Sequence, residues 1–295
     1  MAAGDSNAVS GHSFGGNSGD PSVAFIRNGL NVLIVFAALA ACWVPAARAQ
    51  DAGIVVSPTY VLFDGRVRTQ SVTLMNRGNT SQTYRISIVN RSMVPSGELV
   101  PIDHPAEGES FAGEFVRYSP HEIVLPPGKP QVVRFMVQTP ADAPDGEYRS
   151  HILFQELPSD SVPDVALQDK GTGLTVNVRA IFGITIPIVI RRGTLTASAK
   201  LSDLRLVQLK DNTPGVDLKI NRSGSRSLRG NLTVLVDGAP VGHLNSVGVF
   251  LSTPYREVVV PITAPVDLKG RRVDVQFQES EDTPSAVSAA ETLTP

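Results

Sequence analysis

The 295-residue chain is poor in the residues that most catalytic and metal sites are made from. It has one cysteine, Cys42, and one tryptophan, Trp43, side by side in an apolar N-terminal run. A lone thiol placed there leaves the body of the chain without a disulfide frame or a cysteine-ligated metal site. Aromatic residues make up only 6% of the chain, so a core must be built mainly from Val, Ile and Leu. Acidic and basic residues nearly balance, 28 against 26, for a net charge of -2. Such a balance gives no argument for nucleic acid or any other polyanionic partner. Past Ala49 no apolar stripe at helical spacing extends for ten residues. What the chain does have is turn chemistry: 25 Gly and 22 Pro among 42% hydrophobic residues. That mixture suits many short strands.

Enzymatic patterns are equally sparse. His12 lies in the leader, and His104, His121, His151 and His243 are far apart, with no HxH or HExxH spacing. Past Ala49 there is no GxSxG, and no glycine-rich phosphate loop joins a strand to a helix; the one match, Gly11–Gly15, lies in the Gly- and Ser-rich leader, outside any strand-turn-helix context. Asp142, Asp145 and Glu147 cluster on a Pro- and Gly-rich turn. Their oxygen-ligand spacing is incomplete for calcium, and they read as a solvated acidic turn. Neither a catalytic residue nor a cofactor or metal is expected.

The N-terminus reads as a targeting segment. Met1 to Ala24 is Gly-, Ser-, Asn- and Ala-rich and aperiodic. Arg27, the apolar run Leu30 to Val44 and the small-x-small site Ala47-Arg48-Ala49 then make a secretory signal peptide, cleaved after Ala49. The run is about fifteen residues, short of the roughly twenty that span a bilayer. Leu39-Ala40-Ala41-Cys42 also resembles a lipoprotein box, which would make Cys42 a lipidated first residue. Both routes export the chain.

Downstream, strand-like runs alternate with turn residues. They are Ile54–Val56, Tyr60–Phe63, Gln70–Asn76, Thr83–Asn90, Glu122–Leu125, Gln131–Gln138, Tyr148–Leu157 and Leu174–Ile190. In QVVRFMVQ, Val133, Phe135 and Val137 form one apolar face, as in a strand buried on one side. Eight such runs suit an immunoglobulin-like sandwich over residues 50–191. After Arg191-Arg192-Gly193 a second series begins with Leu201–Leu209 and ends with Arg271–Gln278, a second β-sandwich over 194–279. Within it, Asp237-Gly238 predicts a tight hairpin. Residues 280–295 read as a disordered tail. The fold class is therefore all-β, two sandwiches in series.

The ordered stretches SPTYVLFDG (Ser57–Gly65), VTLMNRG (Val72–Gly78), TYRISI (Thr83–Ile88), YSPHEIVLPPGKPQVVRF (Tyr118–Phe135) and DGEYRSHILFQELP (Asp145–Pro158) precede GLTVNVRAIFGITIPIVIR (Gly173–Arg191). Together they resemble the periplasmic pilus-assembly chaperones of the chaperone–usher pathway, the PapD-like family. The resemblance covers roughly residues 54–191. It implies a non-enzymatic periplasmic protein that lends the last strand of its first domain to a pilin-like subunit lacking one strand. The subunit then passes to an outer-membrane usher. By that likeness Leu174, Val176 and Val178 are the donor side chains, and Ile184 to Ile190 stays within the chaperone. Arg134 and Glu147 match the family's charged pair at the domain joint, with Asp267 as a third member. The family commonly holds the subunit's terminal carboxylate with an Arg on the first strand and a Lys on the last. This chain has Tyr60 at the first position and Thr185 or Pro187 near the second. A phenol cannot make the charge-assisted bond of a guanidinium or ammonium. Tyr60 and Arg179, with Arg85 behind them, are the candidates for that anchor. An apolar edge also lends itself to self-pairing of two copies. The competing readings are a structural surface subunit or adhesin, and a carbohydrate-binding module or enzyme built on a sandwich.

Overall fold

In the computed structural model, residues 53–158, 165–168, 175–178, 181–280 and 287–294 are described, the two short segments as backbone strands. The expected signal peptide, with Cys42 and the expected cleavage site at Ala49, lies outside them, as do Leu174 and Arg179.

The first sandwich packs two sheets. One has the order β1 (Ile54–Ser57), β3 (Thr69–Asn76), β9 (Pro130–Val137) and β7 (Val116–Ser119). The other runs β2 (Val61–Phe63), β13 (Gly183–Arg192), β10 (Gly146–Glu156), β4 (Gln82–Val89) and β8 (Glu122–Leu125). Period-2 alternation decides what goes inside. On β9, Val133, Phe135 and Val137 are buried, while Val132 and Met136 remain 48% and 44% exposed. From the opposing sheet Phe63, Ile152, Phe154 and Ile188 close the core, all essentially inaccessible. Each such side chain contributes about 1.5–3 kcal/mol on leaving water. A small hairpin, β5 (Arg91–Met93) with β6 (Leu99–Pro101), projects from the second sheet's end.

The second sandwich stacks β14 (Ala197–Gln208), β15 (Pro214–Gly224) and β18 (Tyr255–Pro261) on β17 (Ala239–Val249), β16 (Leu228–Val236), β19 (Val273–Glu279) and β20 (Ser288–Leu293). Its separate core centres on Leu218, Ile220, Leu228 and Phe277. Val236 pairs with Ala239 across Asp237 and Gly238, whose φ values of 49° and 86° give the primed turn that a two-residue hairpin needs.

Two expectations fail at the level of elements. Leu174–Ile190 is not one strand. Thr175–Val178 (β12) pairs antiparallel with Val165–Gln168 (β11), whereas β13 starts at Gly183 and pairs with β10. The alternation of Leu174–Arg179 runs straight into the mostly apolar stretch from Ala180, and no Pro or paired turn residues mark the break. The tail is not uniformly irregular either. Ser288–Leu293 pairs with β19, and Val287, Ala289 and Leu293 pack on the second core. Their alternation is masked by Ser, Thr and Glu between them.

Candidate docking edge and the joint between the sandwiches

β13 is paired along its whole length on one side and only in part on the other. β10 covers it from Gly183 to Arg192. On the opposite flank β2 runs parallel over only three residues, Val61 to Phe63 against Ile188 to Ile190. Among the described residues, no strand pairs with that flank from Gly183 to Pro187. The same stretch is preceded by Ile181 and Phe182, 50% and 69% exposed. Ile186 is buried and Ile184 packs against the core, so the inner face of the edge opens onto the apolar interior. An unpaired, uncharged and apolar edge is what soluble sheets ordinarily avoid. Pro187, with no N–H to give, ends the open stretch where β2 takes over.

Tyr60, the residue before β2, stands at that stop. Its side chain is half-buried and hydrogen-bonded to Ser227. The Arg229 guanidinium lies over its ring, 4.8 Å from the centroid. Burial, and then the negative Glu147, push the phenol well above its ordinary pKa, so it remains a neutral donor. Arg229 comes from β16 of the second sandwich. Its Nη2 donates to Ser246 Oγ at 3.0 Å, and it has no carboxylate partner among the described residues.

Behind Tyr60 the two sandwiches are joined by a buried charge pair. Arg191 Nε donates to Glu147 Oε2 at 3.0 Å, and Arg191 Nη2 donates to the Ser227 carbonyl at 3.2 Å. The Ser227 N–H reaches both Glu147 oxygens, at 3.2 and 3.1 Å. Their side chains are 5% and 0% exposed. Burial opposes the Arg191 charge, but the Glu147 carboxylate, by attraction and by its hydrogen bond, more than offsets it and the Arg191 pKa is raised. The register explains the pair: Glu147 and Arg191 are opposite each other on β10 and β13, on the sheet face turned toward the second sandwich.

A second contact lies farther along. Ser252 Oγ accepts from the Met93 N–H at 2.9 Å and donates to its carbonyl at 3.1 Å. The Glu257 N–H donates to the Pro95 carbonyl at 2.7 Å. Gly97, at φ +84°, leaves the space that the Arg256 guanidinium fills, so any Cβ there would collide with it. Between the two contacts, Phe250 of the second sandwich packs on Arg149 and His151 of β10.

Several expected site residues are elsewhere. Arg134 is exposed on β9, between Ser71 and Ser119 of its own sheet, and does not meet Glu147, which lies in the other sheet. Arg191 takes that place. Arg134 points outward because it alternates with the buried Val133 and Phe135. Asp267 is an exposed turn residue whose Oδ1 accepts the Lys269 N–H, and the third member of the joint is Ser227. Arg85 forms a loose surface pair with Glu122 at 3.9 Å. Val176 and Val178 are on β12, opposite Leu167 and Val165 of β11. Ile184 to Pro187, expected to be absorbed within the first sandwich, has one flank open instead. Ser227 and Arg229 escaped the sequence reading because they come from the second sandwich, 80 or more residues after Glu147, and no local pattern marks them.

No protein-family model matches the chain, and no curated protein does. Similar solved structures include the YadV chaperone, at 14% identity over 81% of this chain and 99% of that one, with a TM-score of 0.42. The CupB2 chaperone of Pseudomonas aeruginosa matches at 12% identity over 81% of this chain and 100% of its own, with a TM-score of 0.41. The SafA pilin–SafB chaperone complex of Salmonella enterica matches at 14% identity over 82% of this chain and 97% of the other, with a TM-score of 0.40.

Proposed function

We propose that this chain is a periplasmic assembly chaperone of the chaperone–usher pathway. It holds pilin-like subunits by adding one of its own edge strands to their incomplete sandwiches, and acts by binding rather than by catalysis. The observation that carries the reading is the open flank of β13 from Gly183 to Pro187, led in by exposed Ile181 and Phe182. Strand addition draws affinity from main-chain hydrogen bonds and specificity from alternate side chains in pockets. Val176 and Val178, on β12 upstream in the chain, and Leu174, outside the described residues, are the further donor candidates of this reading.

A guest strand on this flank occupies the line of β2 and must end at Tyr60. Arg229, without a carboxylate of its own, makes that end a place for a chain-terminal carboxylate, with the Tyr60 ring beneath the cation. Arg179 is the other candidate for this role. The loaded subunit then passes to an outer-membrane usher, and without clients the same edge can pair with a second copy.

The test is recovery of a small partner from periplasm with a tagged chain. The wild-type chain should bring down a stoichiometric sandwich-sized protein. Ile181→Asp with Phe182→Asp, and separately Val176→Asp with Val178→Asp, should lose it while melting unchanged. Arg229→Met should lower recovery. A monomer that never carries a client, or clients recovered equally by both double variants, would overturn the proposal.

A further inference from the structure

Between the two contacts that hold the sandwiches together is a fully buried imidazole that serves neither. His151 of β10 is 0% exposed and lies edge-on to Phe250 of the second sandwich, ring centres 6.2 Å apart. Arg149 Nη1 is 3.4 Å from its Nε2. A guanidinium only donates, so Nε2 is the acceptor and Nδ1 carries the proton. That Nδ1 is buried with no hydrogen-bond partner. The charged groups around the ring come from three elements. Arg149 shares its strand and lies over the Phe250 ring at 4.3 Å. Arg91 comes from β5. Glu109 comes from the loop before Gly113–Phe115 and is spent on Arg149 and Ser92. The flanking strand partners, Val89 and Pro187, are uncharged, and Phe250 brings no charge from the second sandwich.

We propose that His151 is an acid-sensitive latch between the two sandwiches: protonation of its ring releases the contact with Phe250. A second proton on the imidazole would create a third cation beside Arg149 and Arg91, with no free acceptor facing it. The closed interface admits the ring only in its neutral form. Burial first, then Arg149 and Arg91, lower its pKa from 6.5 to about 3. Opening exposes the ring to water, where it protonates at its ordinary pKa. Acid therefore favours the open state, which binds the extra proton, and the closed state is fully favoured above about pH 6.5. The latch neighbours the docking edge, because His151 lies opposite Pro187, the last residue of the open flank. Its action does not depend on what binds there.

Spin labels on Ser96→Cys and Pro254→Cys, both exposed and on opposite sides of the contact, report separation in a Cys42→Ser background. In the otherwise wild-type chain the open-to-closed ratio should rise as pH falls from 7 to 4, by up to about tenfold per pH unit. His151→Gln and His151→Leu keep a neutral side chain at every pH and should flatten that response; either suffices if the other fails to fold. A chain that stays closed down to pH 4, or variants that open with the same pH dependence as the wild type, would overturn the latch.

Discussion

Glu147 is the residue on which the joint depends. It is a carboxylate with no exposed side-chain surface, compensated by Arg191 and by the Ser227 N–H from the other sandwich. Removing one member of such a buried pair strands the other. Arg191→Met should therefore cost about 3–5 kcal/mol of stability in urea denaturation. Glu147→Leu combined with Arg191→Met should recover a large part of that loss, because two apolar groups leave no buried charge behind. A double variant no more stable than Arg191→Met would show that the pair itself, and not the orphaned charge, carries the energy. In the sequence Glu147 reads as part of a solvated acidic turn and the resemblance pairs it with Arg134, whereas it is buried and paired with Arg191. Both arginines lie on strands, and only the pairing of β10 with β13 tells which one faces the carboxylate.

At the scale of elements, alternation was legible wherever one face of a strand is buried and the other wet. β9 and the β16–β17 hairpin are the clear cases. It fails where alternation passes directly into a mostly apolar stretch, as from Arg179 to Phe182, so the junction between β12 and β13 is not marked in GLTVNVRAIFGITIPIVIR. It fails too for an edge strand with short side chains. β20 buries only Ala289 and Leu293 in part, with Val287 just before it, and its polar majority reads as tail. Yet this strand covers the flank of β19, and the Val287 N–H donates to the buried Glu279 carboxylate at 2.9 Å. Ending the chain at Asp282 should lower stability by about 2 kcal/mol, the burial of roughly one aliphatic side chain. It should also promote association through the bared edge. Calorimetry with sedimentation velocity checks both, and an unchanged melting temperature in a monomeric truncated chain would show that β20 adds nothing.

At the scale of the molecule, the all-β class and the succession of two sandwiches follow from turn-rich, helix-poor composition. The arrangement proposed to act does not, because it is made across the joint. The partly unpaired flank belongs to β13 of the first sandwich, the cation near its end to β16 of the second, and the His151–Phe250 contact of the proposed latch to both. The most direct test of the account is amide hydrogen exchange of the chain with and without a co-purified client. Strand addition predicts new protection confined to the amides of Ile181–Ile186 and the β12 segment, with β2 and β10 unchanged. A client that binds while Gly183–Ile186 exchanges as fast as in the free chain would contradict it.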